Sequence, residues 1–356
     1  MPASASPISM ESRDRFKDFL GIERPVVQAP MAGVQGSAMA IAVSNAGGLG
    51  SLPCAMLSAD GVRSELAAIR AGTDRPINVN FFCHVQPEPD ARREAEWRAL
   101  LAPYYKEFGI DAAVISGGAA RRPFSEESAD VLEEFRPEVV SFHFGLPSDR
   151  LMARVRATGA RIFGCATTVD EARWLENRGA DAIVAQGFEA GGHRGMFLSD
   201  DVTTQSGTFA LVRQIVSTVK LPVIAAGGIA DTAGVEAALA LGAVAAQVGT
   251  AYLLCPEATT SAVHRAALKS VAARHTALTN LFSGRPARGI VNRLMRELGP
   301  MNESAPAFPL ASTALAPLRK KAESMGDGAF SPLWCGQNAK GSIEISAGEL
   351  TRMLAG

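Results

Sequence analysis

An excess of charge of either sign is the first thing this 356-residue chain lacks. Its 35 Lys and Arg stand against 36 Asp and Glu, for a formal net charge of -1. With no basic or acidic run, nucleic acid or an anionic membrane surface is not expected as the main partner. Cysteine is scarce as well: Cys54, Cys83, Cys165, Cys255 and Cys335 are odd in number and never spaced C-x-x-C. That excludes a disulfide framework or zinc site and implies reduced, mostly buried thiols in a cytoplasmic protein. Residues 1–17 contain no apolar core of the kind that directs export. The one long uncharged window, 237–255, is broken by Gly242, Gln247 and Gly249. It reads as a helix running into a strand rather than a membrane span. G-x-G-x-x-G, the P-loop, H-E-x-x-H and G-x-S-x-G are all missing. Dinucleotide-binding sheets, phosphoryl transfer, zinc proteolysis and serine hydrolysis lose their usual signatures with them.

What is present is a winding pattern in a chain that is 47% apolar. Eight short apolar runs, starting near residues 26, 49, 77, 139, 161, 182, 223 and 245, read as strands. Helical patterns separate nearly all of them, at 38–45, 59–70, 148–158, 168–177 and 231–241. The last two open on Thr168 and Asp231 as caps and stop at Gly179 and Gly242. Strands alternating with helices predict an α/β fold with a parallel sheet, and eight units favour a closed (β/α)8 TIM barrel. The barrel is expected over 20–255, with an enlarged helical connection at 83–137. Past Pro256 no strand pattern is evident. A second, smaller, mainly helical domain is therefore expected over 256–325, covering the barrel mouth, with 326–356 returning to the barrel.

In such barrels the loops after the strands' carboxyl ends carry the site, and a phosphate often binds after the last two strands. That rule brings Pro30, Met31, Ala32, Asn80, His143, Gln186 and His193 to one rim. Gly227 and Gly228 then follow the seventh strand, and Gly249 and Thr250 the eighth, where bare amides and a hydroxyl suit a phosphate. The densest stretch is Gln186-Gly-Phe-Glu-Ala-Gly-Gly-His-Arg-Gly195, which sets one of only five histidines among Gly191, Gly192 and Gly195. It offers little to pack, so His193 reads as a chemical group. Each of the others has a structural reading beside the functional one. The glycine pair can simply turn the chain, Asn80 can cap a segment, and Gln186 can tie down a loop. His143 can be a packing residue between two phenylalanines, and Met31 a pocket wall. Ser283-Gly-Arg-Pro-Ala-Arg-Gly289 can bind an anion through Arg285 or Arg288, or be a helix cap with solvated arginines.

Several motifs together resemble the nitronate monooxygenases, formerly 2-nitropropane dioxygenases, of the bacterial-type first class. They are Gln28-Ala-Pro-Met-Ala-Gly33, Ala46-Gly-Gly-Leu-Gly50, Asn78-Val-Asn-Phe-Phe82, Ser141-Phe-His-Phe-Gly-Leu-Pro147, the Gln186 to His193 stretch and Ala226-Gly-Gly-Ile229. The likeness runs from about residue 22 to about 340 and includes Trp334-Cys-Gly-Gln337. It implies FMN bound at the barrel mouth and touched by Asn80, Gln186, Gly191, Gly228, Gln247, Val248, Gly249 and Thr250. Pro30, Met31, Ala32, Gly192 and Gly227 join that set, with His193 catalytic, His143 and Ser283 on the substrate, and no metal. The implied reaction oxidises an alkyl nitronate, such as propionate 3-nitronate, with dioxygen to a carbonyl compound and nitrite, by one-electron transfer to FMN. Monomer or homodimer is expected. The rival expectations are an NAD(P)H-dependent FMN reductase acting on an enoyl thioester or quinone, a flavin-free barrel binding a phosphate metabolite, and a non-catalytic flavin-binding protein.

Overall fold

Runs such as Ala182–Gln186 and Val223–Ala226 are buried along their whole length, as strands covered on both faces must be. The computed structural model describes residues 16–111 and 121–356. In chain order the strands are β1 (Val26–Gln28), β2 (Gly50–Pro53), β3 (Ile77–Phe82), β4 (Val139–His143), β5 (Arg161–Ala166) and β6 (Ala182–Gln186). After a two-residue strand outside the barrel, β7 (Gly192–His193), come β8 (Val223–Ala226) and β9 (Ala245–Val248). The eight barrel strands are parallel, in the spatial order β1-β9-β8-β6-β5-β4-β3-β2. Leu49 closes the ring: its amide donates to the Val26 carbonyl and its carbonyl accepts from the Gln28 amide, both at 2.9 Å. The expected TIM barrel is thus the observed one, and every barrel strand begins within one residue of its predicted start.

The helices start where short polar side chains satisfy their first amides. Ser58, Ser125, Ser148, Thr168 and Asp231 each accept from a backbone N–H two or three residues into the helix. One helix that the sequence pattern does not announce, Thr208–Val216, starts on Gly207 with no side-chain cap and buries Leu211, Val212 and Ile215. At the amino ends of the strands, Phe16, Leu20 and Ile22 pack against Leu49, Val139, Phe163 and Val244. That cluster stoppers the bottom of the barrel and leaves only the carboxyl end open.

A second core lies beyond the barrel. Trp97, Leu101, Tyr104 and Tyr105, from the helix Ala91–Glu107 in the enlarged connection, pack against Ala311, Ala314, Leu315 and Leu318 of the helix Ala311–Ser324. Trp97 Nε1 donates to the Ala311 carbonyl at 3.2 Å and the Tyr105 hydroxyl to the Ala314 carbonyl at 2.7 Å. Part of the connection, 112–120, lies outside the described residues. Past 256 the region is mainly helical, as expected, but it also carries two strands that the sequence pattern does not announce. β10 (Thr276–Thr279) and β11 (Ala287–Ile290) form an antiparallel sheet in the order β10-β11-β7. Each is four residues long and polar in half or a quarter of its positions, so neither shows the apolar alternation by which a strand is recognised. The uncharged window resolves into the end of the helix Thr232–Ala240, then β9, then a 3₁₀ turn over Thr250–Leu254. No helix among the described residues is long and apolar enough to cross a membrane.

Candidate active site

The open end of the barrel holds a cavity whose walls come from nearly every strand terminus. Pro30, Met31 and Ala32 follow β1, Asn80 lies in β3, His143 ends β4 and Gln186 ends β6. Gly191, Gly192 and His193 come next, with Gly227 and Gly228 after β8, Gln247 in β9, and Gly249 and Thr250 beyond it. Two expected residues are not on the wall. Val248 packs into the outer core between barrel and helices, because strand side chains alternate and Gln247 already takes the inward position. Only its carbonyl serves the rim, accepting from the Ala29 amide at 2.8 Å. Ser283 is buried behind the wall, where its hydroxyl pairs with His193 Nε2 at 2.9 Å.

His193 is fixed by backbone pairing as well as by its ring. In β7 it lies opposite Ala287 of β11, with Gly192 opposite Arg288. Its carbonyl accepts from Gln186 Nε2 at 2.9 Å and faces His143 Nε2 at 3.2 Å. A carbonyl can only accept, so His143 carries its proton on Nε2. Gln186 Oε1 accepts from the Gly195 amide at 2.7 Å, so this side chain both lines the cavity and ties down the glycine loop. Around the His193 ring stand Phe82, Phe144, Phe308 and Trp334, all edge-on, with centroids 5.3 to 6.3 Å away. Burial in this aromatic wall holds the imidazole well below the usual histidine value of 6.5, and the positive charges of Arg121 and Arg285 push the same way. His143 is likewise lowered, to about 4, first by burial. Both rings are therefore neutral near pH 7.

The arginines around the loop are structural clamps. Arg194, fully buried, donates to the carbonyls of Gly187 and Gln186 and to Gln205 Oε1, each at 2.7 Å. The expected helix cap with solvated arginines at 283–289 is corrected: the segment is a turn entering β11. Arg288 is 3% exposed and donates to the Phe188 carbonyl at 3.0 Å. Arg285 donates to the Met196 carbonyl and lies 4.5 Å from the Phe144 ring centre. A charged residue inside a short strand hides its burial from any reading by hydropathy.

The glycine turns have the form of an anion cradle. Gly228 has φ +71°, a conformation open to glycine at little cost. The amides of Gly228, Gly249 and Thr250 have no hydrogen-bond acceptor among the described residues. The 330s segment returns over these turns. Gly336 N donates to Thr250 Oγ1 at 3.0 Å and Asn338 Nδ2 to the Gly228 carbonyl at 3.1 Å. A methyl group on Gly191 would come within 2.6 Å of the Gly336 nitrogen, so glycine is needed for the two strands of chain to meet. Several wall residues were not singled out from sequence. Phe82 and Trp334 stand inside quoted motifs, which was a usable signal. Ser141, which accepts from Asn80 Nδ2 at 2.9 Å, stands in another. Arg121, on the wall, and Phe308, which packs against the His193 ring, lie in no recognisable pattern.

Three comparisons place this geometry among known proteins. The family model described as nitronate monooxygenase matches residues 13–355. A nitronate monooxygenase of Pseudomonas aeruginosa is 44% identical over 343 residues, which cover 96% of this chain and 98% of that one. A nitroalkane oxidase structure from Streptomyces ansochromogenes superposes with a TM-score of 0.86 at 40% identity, covering 96% of each chain. FabK from Thermotoga maritima superposes with a TM-score of 0.72 at 28% identity, covering 96% of this chain and 94% of the other. With the closed barrel, the cavity at its carboxyl end and a match along nearly the whole sequence, the chain belongs to the nitronate monooxygenase family.

Proposed function

We propose that this chain oxidises alkyl nitronates with dioxygen, using FMN held at the barrel mouth beside His193. The observation that carries the reading is the position of His193, a neutral imidazole in an aromatic wall that faces the same cavity as the empty-handed glycine amides. The donor set fits the cofactor. The unpaired amides of Gly228, Gly249 and Thr250 suit a phosphate. Pro30, Met31, Ala32, Asn80, Gln186, Gly191, Gly192, Gly227 and Gln247 supply the rest of its walls. Held there, FMN would supply the one-electron redox chemistry that links nitronate oxidation to dioxygen.

The remaining chemistry falls to side chains. The hydrogen bond to Ser283 Oγ holds the imidazole's orientation, and the loop clamps hold its backbone. A neutral ring is competent to take the α-proton of a neutral nitroalkane and so make the nitronate in place. The aromatic wall of Phe82, Phe144, Phe308 and Trp334 excludes water from the anion so formed. The reading places the enzyme in the cytoplasm with a small-molecule substrate.

An absorbance spectrum of the purified protein, followed by nitrite detection with propionate 3-nitronate in air, tests this. A yellow protein that releases nitrite is expected. A colourless preparation that stays apo after incubation with FMN would point to a phosphate-binding barrel instead. Full flavin occupancy with no turnover on any nitronate would point to a non-catalytic binder.

A further inference from the structure

Among the described residues that line the cavity, Arg121 alone carries a permanent charge. Its guanidinium carbon stands 5.7 Å from the centre of the Phe308 ring. That ring in turn lies edge-on to His193 at 5.3 Å. The backbone at Arg121 is anchored, since its carbonyl accepts from Gln86 Nε2 at 2.8 Å. No carboxylate among the described residues pairs with the guanidinium. Among the described residues the one charge that acts on it, Arg319, is of like sign, and burial and that charge both push its pKa down. A desolvated cation without a counter-ion is an arrangement that proteins avoid unless something else supplies the anion. The cation–π contact with Phe308 recovers little at this distance.

We infer that Arg121 sets substrate choice by binding an anionic group, a carboxylate, at the end of the substrate remote from the carbon that meets His193. The inference rests on the nitronate-oxidising reading above and names the residue that discriminates within that class. Arg121 and His193 line the same cavity, and both stand against the Phe308 ring, so a short-chain nitronate that reacts at His193 can present its far end to the guanidinium. The nitronate group itself faces the imidazole, and the unpaired glycine amides provide a separate site for the cofactor's phosphate.

Two nitronates of equal carbon count separate the roles: propionate 3-nitronate, which carries the carboxylate, and 1-propyl nitronate, which does not. Arg121→Met keeps the stem and removes the charge. It is expected to lower kcat/KM for propionate 3-nitronate at least about tenfold, mostly through KM, and to leave 1-propyl nitronate within about twofold. Arg121→Lys is expected to restore part of the loss. Flavin content should be unchanged and the melting temperature equal or higher, because an unpaired, partly buried cation has been removed. An equal loss on both substrates would assign Arg121 to the nitronate group or to His193, and no loss on either would remove it from the site; both overturn the inference. If the native protein oxidises neither compound, the reaction is wrong rather than the residue. Titration calorimetry with 3-nitropropionate then decides, since the assignment still requires binding at least about tenfold weaker in Arg121→Met.

Discussion

An imidazole ringed by Phe82, Phe144, Phe308 and Trp334 is in surroundings where a positive charge is costly. Two consequences follow at His193. Its folded pKa lies well below 6.5, so the ring stays neutral as the pH falls through that value and gains its proton only well below it. Turnover of nitroethane, which needs a neutral base, should therefore hold steady from pH 8 down past 6.5. A profile that loses activity with an inflection at 6.5 or above would contradict the assignment. Replacing the ring, His193→Asn, should leave flavin content intact and lower turnover at least about a hundredfold, the lower range for loss of a positioned acid–base group; unchanged turnover would remove His193 from the mechanism. That His193 faces the cavity was legible in the sequence, because it sits among three glycines in a loop that follows a buried strand; the four aromatic rings packed against it were not. The part that was not legible follows from geometry. Val248 ends β9 and faces outward, whereas Thr250, of the same parity, reaches the cavity because the chain turns there into the 3₁₀ segment Thr250–Leu254. Ser283 is hydrogen-bonded to the His193 ring, a relation across 90 residues that no local pattern encodes.

At the scale of elements, the loop that bears His193 is held as a strand, with β7 laid against β11. The second sheet thus reaches into the barrel mouth and joins the outer region to the loop that bears His193. The eight barrel strands could be read from sequence because each is an apolar run ended by a glycine or polar turn. β10 and β11 could not, since a buried arginine and two threonines break the apolar pattern. Arg194 shows what such a buried arginine does: it supplies donors to the Gln186 and Gly187 carbonyls and to Gln205. Arg194→Met removes all three bonds at once and leaves those acceptors short of donors in a water-poor setting. A loss of about 2–5 kcal/mol of stability is expected in a denaturant titration, with a fall in turnover as the loop loosens. A variant as stable as the native protein would mean that the clamp is redundant with the β7–β11 pairing.

The whole molecule shares its frame with proteins of different names, the nitroalkane oxidase at 40% identity and FabK at 28%. A common barrel does not choose between reactions; the contents of the mouth do. Here Phe308 and Trp334, which belong to the region beyond 256, pack against the His193 ring, and that region is braced by Trp97 and Tyr105 through the second core. An NAD(P)H-dependent reductase must also seat a dinucleotide whose pyrophosphate calls for several cations or free amides. Among the described residues the cavity wall offers one permanent cation, Arg121, and the free backbone amides of Gly228, Gly249 and Thr250 are committed to FMN in the proposed reading. The expected result of anaerobic stopped-flow mixing is therefore asymmetric. Propionate 3-nitronate should bleach the flavin absorbance within the time of a turnover, whereas NADH or NADPH should leave it oxidised over the same interval. Rapid bleaching by either nucleotide would show that the mouth admits a dinucleotide after all and would return the reductase to first place.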